Sequence, residues 1–395
     1  MSKHIISSNT SQPLIIKGSG NTWVIDTSAL IVTGQVFHET ALSEVKGAHG
    51  NTIVVNGAVI GGAEGDDDGI VLGGRDTRLI VGDLGVVQGQ MGIQANGRHQ
   101  SITNHGDITV GGVGIFAELG GKIINDGTIN AGTGIWSNSG LVKIVNRPGA
   151  EILCGDTDTA INVQGEGGAG RIINHGTIEA YYYAVNGGEL ADVITNRGVM
   201  KGTISLGSGN DVFDNRGGSV DHVISTDSGN DILITDDASV SISESENGGR
   251  DMVKSTVGYI LNAHVEDLVL IGKAAGGATG NELNNHLDGN SAFNVIQGLA
   301  GKDRLDGHKG NDVLFGGTEV DVFVFGKSYG DDTIADFVAG LDRIDLRGSQ
   351  MISSFADFKA HAIDTGADIT LHAGKDSLRI QGIDLADLHG SDFIF

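Results

Sequence analysis

Aspartates that return at a fixed interval beside glycines are the residues of this chain best suited to chemistry. From Gly280 the sequence reads GNELNNHLD, GNSAFNVIQ, GLAGKDRLD, GHKGNDVLF and GGTEVDVFV, ending at Val324 without a gap. The first position is Gly280, Gly289, Gly298, Gly307 and Gly316, and the sixth is Asn285, Asn294, Asp303, Asp312 and Asp321. The eighth is always apolar: Leu287, Ile296, Leu305, Leu314 and Phe323. Upstream, Gly209-Asn210-Asp211, Gly229-Asn230-Asp231 and Gly249-Arg250-Asp251 place three more aspartates at one even, longer step. If the turns stack, such carboxylates form columns. Two carboxylates about 5 Å apart repel by roughly 3 kcal/mol at an effective dielectric constant of about 20, so an uncompensated column opposes folding. A divalent cation reverses that sign. Carboxylates joined by the carbonyls of glycine turns are hard oxygen donors, which select Ca²⁺ over Zn²⁺. For the upstream column alone, solvated Gly-Asn-Asp turns are the competing reading.

Catalytic patterns are absent from the sequence, and no catalytic residue is assigned. The one His-Glu pair, His38-Glu39, lacks the second histidine of a His-Glu-x-x-His protease. No Gly-x-Ser-x-Gly elbow, P-loop or Cys-x-x-Cys occurs, and the 13 histidines form no ligand pair at helical spacing. His105 and His175 read as turn residues. A polysaccharide-active enzyme would need acids or bases along one groove. The nearest candidate, Asp66-Asp67-Asp68, reads rather as a solvated loop or another cation corner. Tyr181, Tyr182 and Tyr183 are candidates for stacking on sugar rings, although an ordinary strand turns only one or two of them outward.

Short strands must position these groups. Of 395 residues 65 are Gly and 2 are Pro, which excludes an ordinary helical domain and collagen, and 39% hydrophobic content excludes disorder. An apolar pair followed by Asn-x-Gly recurs as Ile123-Ile124-Asn125-Asp126-Gly127 and Ile172-Ile173-Asn174-His175-Gly176, and Ile102-Thr103-Asn104-His105-Gly106 is a further copy with Thr in the second place. Looser copies carry Asn146, Asn196 and Asn215, so the asparagines return at similar steps, with one longer gap between Asn146 and Asn174. Ile115, Ile135 and Val185 follow their asparagines at a nearly constant interval, giving at least two strands per repeat. This describes the coils of a parallel β-solenoid. Its corners would hold Asn and Gly in left-handed conformations, and its asparagines would stack into a ladder. The longer gap implies an insertion between Gly149 and Gly170. A β-sandwich gives similar strand spacing but no reason for one corner residue to return in register. Asp192 to Gly198 aligns with Asp211 to Gly217, so the aspartate corners continue the asparagine solenoid.

The chain divides accordingly into a cap and first coils (1–87), a β-helix with Asn corners (88–204), a solenoid with Asp corners and a connector (205–279), the nonapeptides (280–324) and a C-terminal cap (325–395). A net charge of −25 repels nucleic acid and anionic lipid and favours cations. No run of about 18 apolar residues predicts a membrane span. Cys154 is alone, so no internal disulfide forms. Met1 to Gln12 lacks the apolar segment of a cleaved leader, so Sec export is not expected.

The nonapeptides resemble the Gly-Gly-x-Gly-x-Asp-x-U-x repeat of the RTX, or haemolysin-type, calcium-binding proteins. The resemblance implies a parallel β-roll whose turns, through Gly298, Gly301, Gly307, Gly310, Gly316, Asp303, Asp312 and Asp321, hold Ca²⁺. Sites shared between turns two nonapeptides apart would make about two to four ions. A looser likeness extends the set to Gly209, Asp211, Gly229, Asp231 and Asp251. Asn285 and Asn294 depart from the aspartate, and Leu283, Ala292 and Glu319 from the fourth-position glycine. Residues 330–347 and Ser391 to Phe395 resemble the C-terminal region of type I secreted RTX proteins such as the serralysins. There an acidic residue before terminal apolar residues belongs to an uncleaved secretion signal; a plain capping strand is the other reading. The likeness implies export by type I secretion machinery, folding by external calcium, and an extracellular or cell-surface location. The expected role is binding, adhesive or structural, with polysaccharide or surface glycan as partner. Self-association through open solenoid ends is a further expectation. The alternative is a lyase, hydrolase or epimerase carrying an RTX module, as in some alginate epimerases. A toxin is a weaker third reading, because the long apolar helical segment usual in that class is missing.

Overall fold

The computed structural model describes residues 2–32, 40–62, 68–155, 159–164 and 168–395. His38, Glu39, Asp66 and Asp67 lie outside them. The described chain is nearly all β, a parallel β-solenoid with one α-helix, Phe355–His361. Among the described residues no helix is long and apolar enough to cross a membrane. The chain forms two compact units, Met1–Asp227 and Ser228–Phe395.

In the first unit a coil carries three strands, consistent with the at least two read from the sequence. Ser101–Asn104, Asp107–Val110 and Val113–Ala117 are followed one coil later by Gly121–Asn125, Thr128–Ala131 and Thr133–Ser137. The register pairs like with like: Ile102 with Ile123, Ile108 with Ile129, Ile115 with Ile135. Alternate side chains point inward, so Ile102, Ile123, Ile144, Ile172 and Ile194 form one buried stack, each at most 2% exposed. Burying one such side chain contributes about 1.5 to 3 kcal/mol. Across the longer gap Glu151–Cys154 and Thr159–Asn162 keep register with the preceding coil. Before residue 88 the same column runs through Thr22–Ile25, Thr52–Val55 and Arg78–Val81. Those strands start at longer and unequal intervals, which is why the period is blurred there.

The asparagine ladder is continuous. The Nδ2 of Asn104, Asn125, Asn146 and Asn174 each donates to the next Oδ1 at 2.9 Å, and Asn196 donates to Asn215 at 2.8 Å. The corners are not left-handed, however: neither these asparagines nor Gly106, Gly127, Gly176 and Gly198 have positive φ. Glycine is needed for a different reason. A Cβ at any of these four positions would lie 2.1 to 2.2 Å from a carbonyl oxygen of the preceding coil. The glycine serves close stacking, not backbone handedness.

In the second unit one coil equals two nonapeptides. His286–Asp288, Arg304–Asp306 and Val322–Val324 pair along one sheet, and Asn294–Leu299 with Val313–Gly317 along another. The eighth-position residues Leu287, Ile296, Leu305, Leu314 and Phe323 fill the space between, each at most 1% exposed. Beyond the repeats, Asp331–Ile334 extends one sheet and pairs with Asp376–Gln381 of an antiparallel hairpin. The helix starts at Ser354, whose Oγ accepts from the Asp357 N–H. It packs Phe358 against Phe393, with ring centroids 4.4 Å apart. Phe393–Ile394 adds a strand to Arg343–Asp345, so the last residues act in the fold as a capping strand.

Candidate metal centre

The sixth-position residues line up in two columns because the coils repeat every two nonapeptides. In one column, the Asn285 N–H donates to Asp303 Oδ1 at 2.7 Å, the Asp303 N–H to Asp321 Oδ1 at 2.9 Å, and the Asp321 N–H to Asp342 Oδ1 at 3.0 Å. In the other, the Asn294 N–H donates to Asp312 Oδ1 at 2.7 Å and the Asp312 N–H to Asp332 Oδ1 at 2.9 Å. Each carboxylate thus spends one oxygen on the backbone of the preceding coil. The second oxygen of Asp303, Asp312, Asp321 and Asp332 is buried and has no hydrogen-bond partner. An ionised buried oxygen left in that state costs about 1 to 3 kcal/mol or more. Burial accordingly pushes Asp303, Asp312 and Asp332 up to about 7 and Asp321 to about 6, against the lowering effect of the backbone donors.

The first-position glycines keep a space open beside those oxygens. A Cβ on Gly298 would lie 2.1 Å from Asp303 Oδ2 and 2.5 Å from the Gly316 carbonyl oxygen. On Gly307 and Gly316 it would lie 2.4 Å from Asp312 Oδ2 and Asp321 Oδ2, respectively. Carboxylate and carbonyl oxygens therefore converge where a side chain would otherwise sit, which is the donor set Ca²⁺ takes. Gly301 and Gly310, at φ +106° and +150°, press against the carbonyls of Leu283 and Ala292, as only glycine does without strain. Leu299 and Glu319 occupy the same left-handed region at φ +84° and +74°. Glu319 is anchored by accepting from the Gly301 N–H at 2.8 Å.

Upstream, Asp231 and Asp251 come together as the spacing implied. The Asp231 N–H donates to Asp251 Oδ1, and the Asp251 N–H to Glu266 Oε2, both at 2.8 Å. Oxygens of Asp231, Glu244 and Asp251 lie within 4.8 Å of one another, and burial raises the Asp251 carboxyl. Gly209 and Gly229 both have positive φ, +127° and +136°. Asp211, in the first unit, accepts from the Asp192 N–H at 2.6 Å. Asp192 in turn accepts from Gly170, and burial pushes it up to about 6.

Sequence reasoning passed over Asp332 and Asp342 as column members. The signal was present: Gly330-Asp331-Asp332-Thr333-Ile334 repeats the pattern of Gly310-Asn311-Asp312-Val313-Leu314. Likewise Asp342-Arg343-Ile344 repeats that of Asp321-Val322-Phe323. Glu266 and Glu244 follow no glycine step and carry no such signal.

Away from the columns, all three tyrosines face outward, correcting the one or two expected. The strand Thr177–Asn186 shifts register between Glu179 and Tyr183, and this irregularity leaves Tyr181, Tyr182 and Tyr183 65%, 54% and 38% exposed.

Residues 279–323 match the model of the RTX calcium-binding nonapeptide repeat, in four copies. No curated protein matches the sequence. Among solved structures, the chain is similar to the extracellular lipase LipA from Serratia marcescens at 17% identity and a TM-score of 0.23. That alignment covers 57% of this chain and 40% of the lipase, so the chain spans less than half of the lipase's length.

Proposed function

We propose that this chain, which carries RTX calcium-binding nonapeptide repeats, is a secreted protein whose second unit is folded by external calcium and whose first unit serves as a binding surface. The carrying observation is the row of buried Oδ2 atoms on Asp303, Asp312, Asp321 and Asp332, each without a hydrogen-bond partner. Where calcium is scarce, these carboxylates repel one another and pay for their own desolvation, so the coils stay open enough for an export channel. Millimolar calcium outside the cell supplies the missing partner and closes the columns. Upstream, Asp231, Glu244 and Asp251, whose oxygens lie within 4.8 Å of one another, gather further like charge that a cation would offset. Far-UV circular dichroism during titration from chelator to millimolar Ca²⁺, with Mg²⁺ as control, tests the reading. A Ca²⁺-specific gain of β signal supports it. A spectrum identical with and without calcium would overturn it.

The role of the first unit is adhesive or structural, with glycan as the partner. Tyr181, Tyr182 and Tyr183 offer exposed rings, and in the same unit Trp136 stands edge-on to Phe116 with centroids 5.7 Å apart. Such faces stack on sugar rings while the tyrosine hydroxyls stay wet. The calcium-loaded protein should be retained on immobilised neutral polysaccharide, and Tyr181→Ala/Tyr182→Ala should lose most of that retention. Equal retention of parent and variant would remove the tyrosines from the reading.

A further inference from the structure

A second cluster in the nonapeptide region lies outside the glycine turns. The seventh and ninth residues of the first repeat, His286 and Asp288, are two apart on one strand and so project to the same face. Asp306 pairs with Asp288 one coil on, and His308 follows it in the next turn at φ +60°. The Oδ1 of Asp288 has His286 Nε2 at 3.4 Å and His308 Nε2 at 3.8 Å. Two ligands of a tetrahedral Zn²⁺, each at its usual distance of about 2.0 to 2.1 Å, stand about 3.4 Å apart. One ligand atom each from Asp288, Asp306 and His308 fits within 4.8 Å.

Asp306 has the features of a support rather than a ligand. It is 5% exposed, and its Oδ1 faces His308 Nδ1 at 3.3 Å and accepts from the His308 N–H at 3.0 Å. Its Oδ2 accepts from Tyr329 Oη at 3.4 Å and lies 3.7 Å from Arg304 Nη2. A carboxylate that holds one imidazole nitrogen turns the other toward a metal, the arrangement typical behind histidine ligands. The side chains of His286 and His308 are 39% and 45% exposed, so an ion has a path in and a fourth position stays open to water.

We propose that His286, Asp288 and His308 form a site for a borderline divalent cation of the Zn²⁺ class, separate from the calcium columns, with Asp306 as the residue that positions His308. Two imidazoles and one carboxylate suit that class and not Ca²⁺, which prefers oxygen throughout. Because the ligands come from the strand at 286–288 and from the turn after the next coil, the ion would tie neighbouring coils together.

The test uses the full chain already saturated with calcium. Titration with ZnCl2 by calorimetry should show one equivalent taken up, and CoCl2 should give the visible bands of a four-coordinate ion. His308→Gln and His286→Gln should each weaken uptake at least about 10-fold, and Asp306→Asn by about 10- to 100-fold with altered cobalt bands. The calcium-dependent circular dichroism of His286→Gln, a change on the solvent side of a strand, should match the parent and so exclude unfolding as the cause. Absence of a stoichiometric uptake would overturn the site. So would uptake that survives both histidine variants, which would place the metal in the glycine turns or at adventitious positions.

Discussion

The longest ladder of the first unit is built of amides, one per coil, and the nonapeptide coils of the second carry mostly carboxylates, two per coil; both kinds of side chain are buried in register. An amide carries a donor and an acceptor, so Asn125 receives from Asn104 and gives to Asn146 with nothing left over. A carboxylate can only accept. Asp303 satisfies one oxygen from the Asn285 N–H and has no donor for the other. The same stacking geometry therefore produces a ladder that satisfies its own hydrogen bonds in one place and one with an unpartnered oxygen per rung in the other. What separates the two ladders chemically is a single NH2 for O exchange, repeated.

The strongest way to break the comparison is to remove a rung of the neutral ladder. Asn125→Ala deletes two buried amide bonds and strips a donor from the Gly127 and Glu151 carbonyls. It should cost about 3 kcal/mol or more, whether calcium is present or not, as read from denaturant melts followed in both conditions. A calcium-dependent cost would mean that the ladder is not self-sufficient.

A smaller effect with an inverted sign is expected in the acid columns. Asp312→Asn places there the residue already found at Asn285 and Asn294. It should stabilise the calcium-free protein at about pH 7.5 by about 1 kcal/mol or more, and should weaken both calcium affinity and calcium-loaded stability. Acid should mimic the substitution. The folded carboxyls titrate near 6 to 7 and the unfolded ones near 3.8, so folding takes up protons between those values. In chelator, stability should be fully present below about pH 4 and be lost as pH rises through about 6 to 7. With calcium the trend should reverse, since protons then compete with the ion. Thermal melts at about pH 5 and about pH 8, with and without calcium, decide the sign.

The smallest change sharpens the geometry of the turn. Leu299 is 47% exposed and held at φ +84°, so Leu299→Gly removes strain without opening a cavity. A gain of about 1 kcal/mol in the calcium-loaded state is expected from chemical denaturation.

Much of this was legible in the sequence because both ladders are periodic. Asn104 through Asn215 and Gly280 through Gly316 return at steps that only stacked coils explain. The third strand of each coil was not legible: Asp107–Val110 is too short for its alternation to stand out from a loop. The role of Gly106 and its equivalents was misread because sequence offers handedness as the usual reason for glycine, while contact with the neighbouring coil's carbonyl is visible only in three dimensions. The outward turn of three successive tyrosines depends on a register shift that no residue type announces. Asp288 and His308 are distant in the chain and come together only because a coil closes every two nonapeptides and the histidine sits just past the matching strand.

The amide ladder also has a direction. Every Nδ2 from Asn104 to Asn196 points toward the C-terminal coil, so the side-chain dipoles add along the solenoid axis, with a bare Oδ1 on Asn104 and a bare Nδ2 on Asn215 at the two ends. Each link polarises the next in the same sense. A coil entering the stack upside down would set two donors or two acceptors face to face, so the ladder works as an orientation filter, admitting new coils in one polarity only.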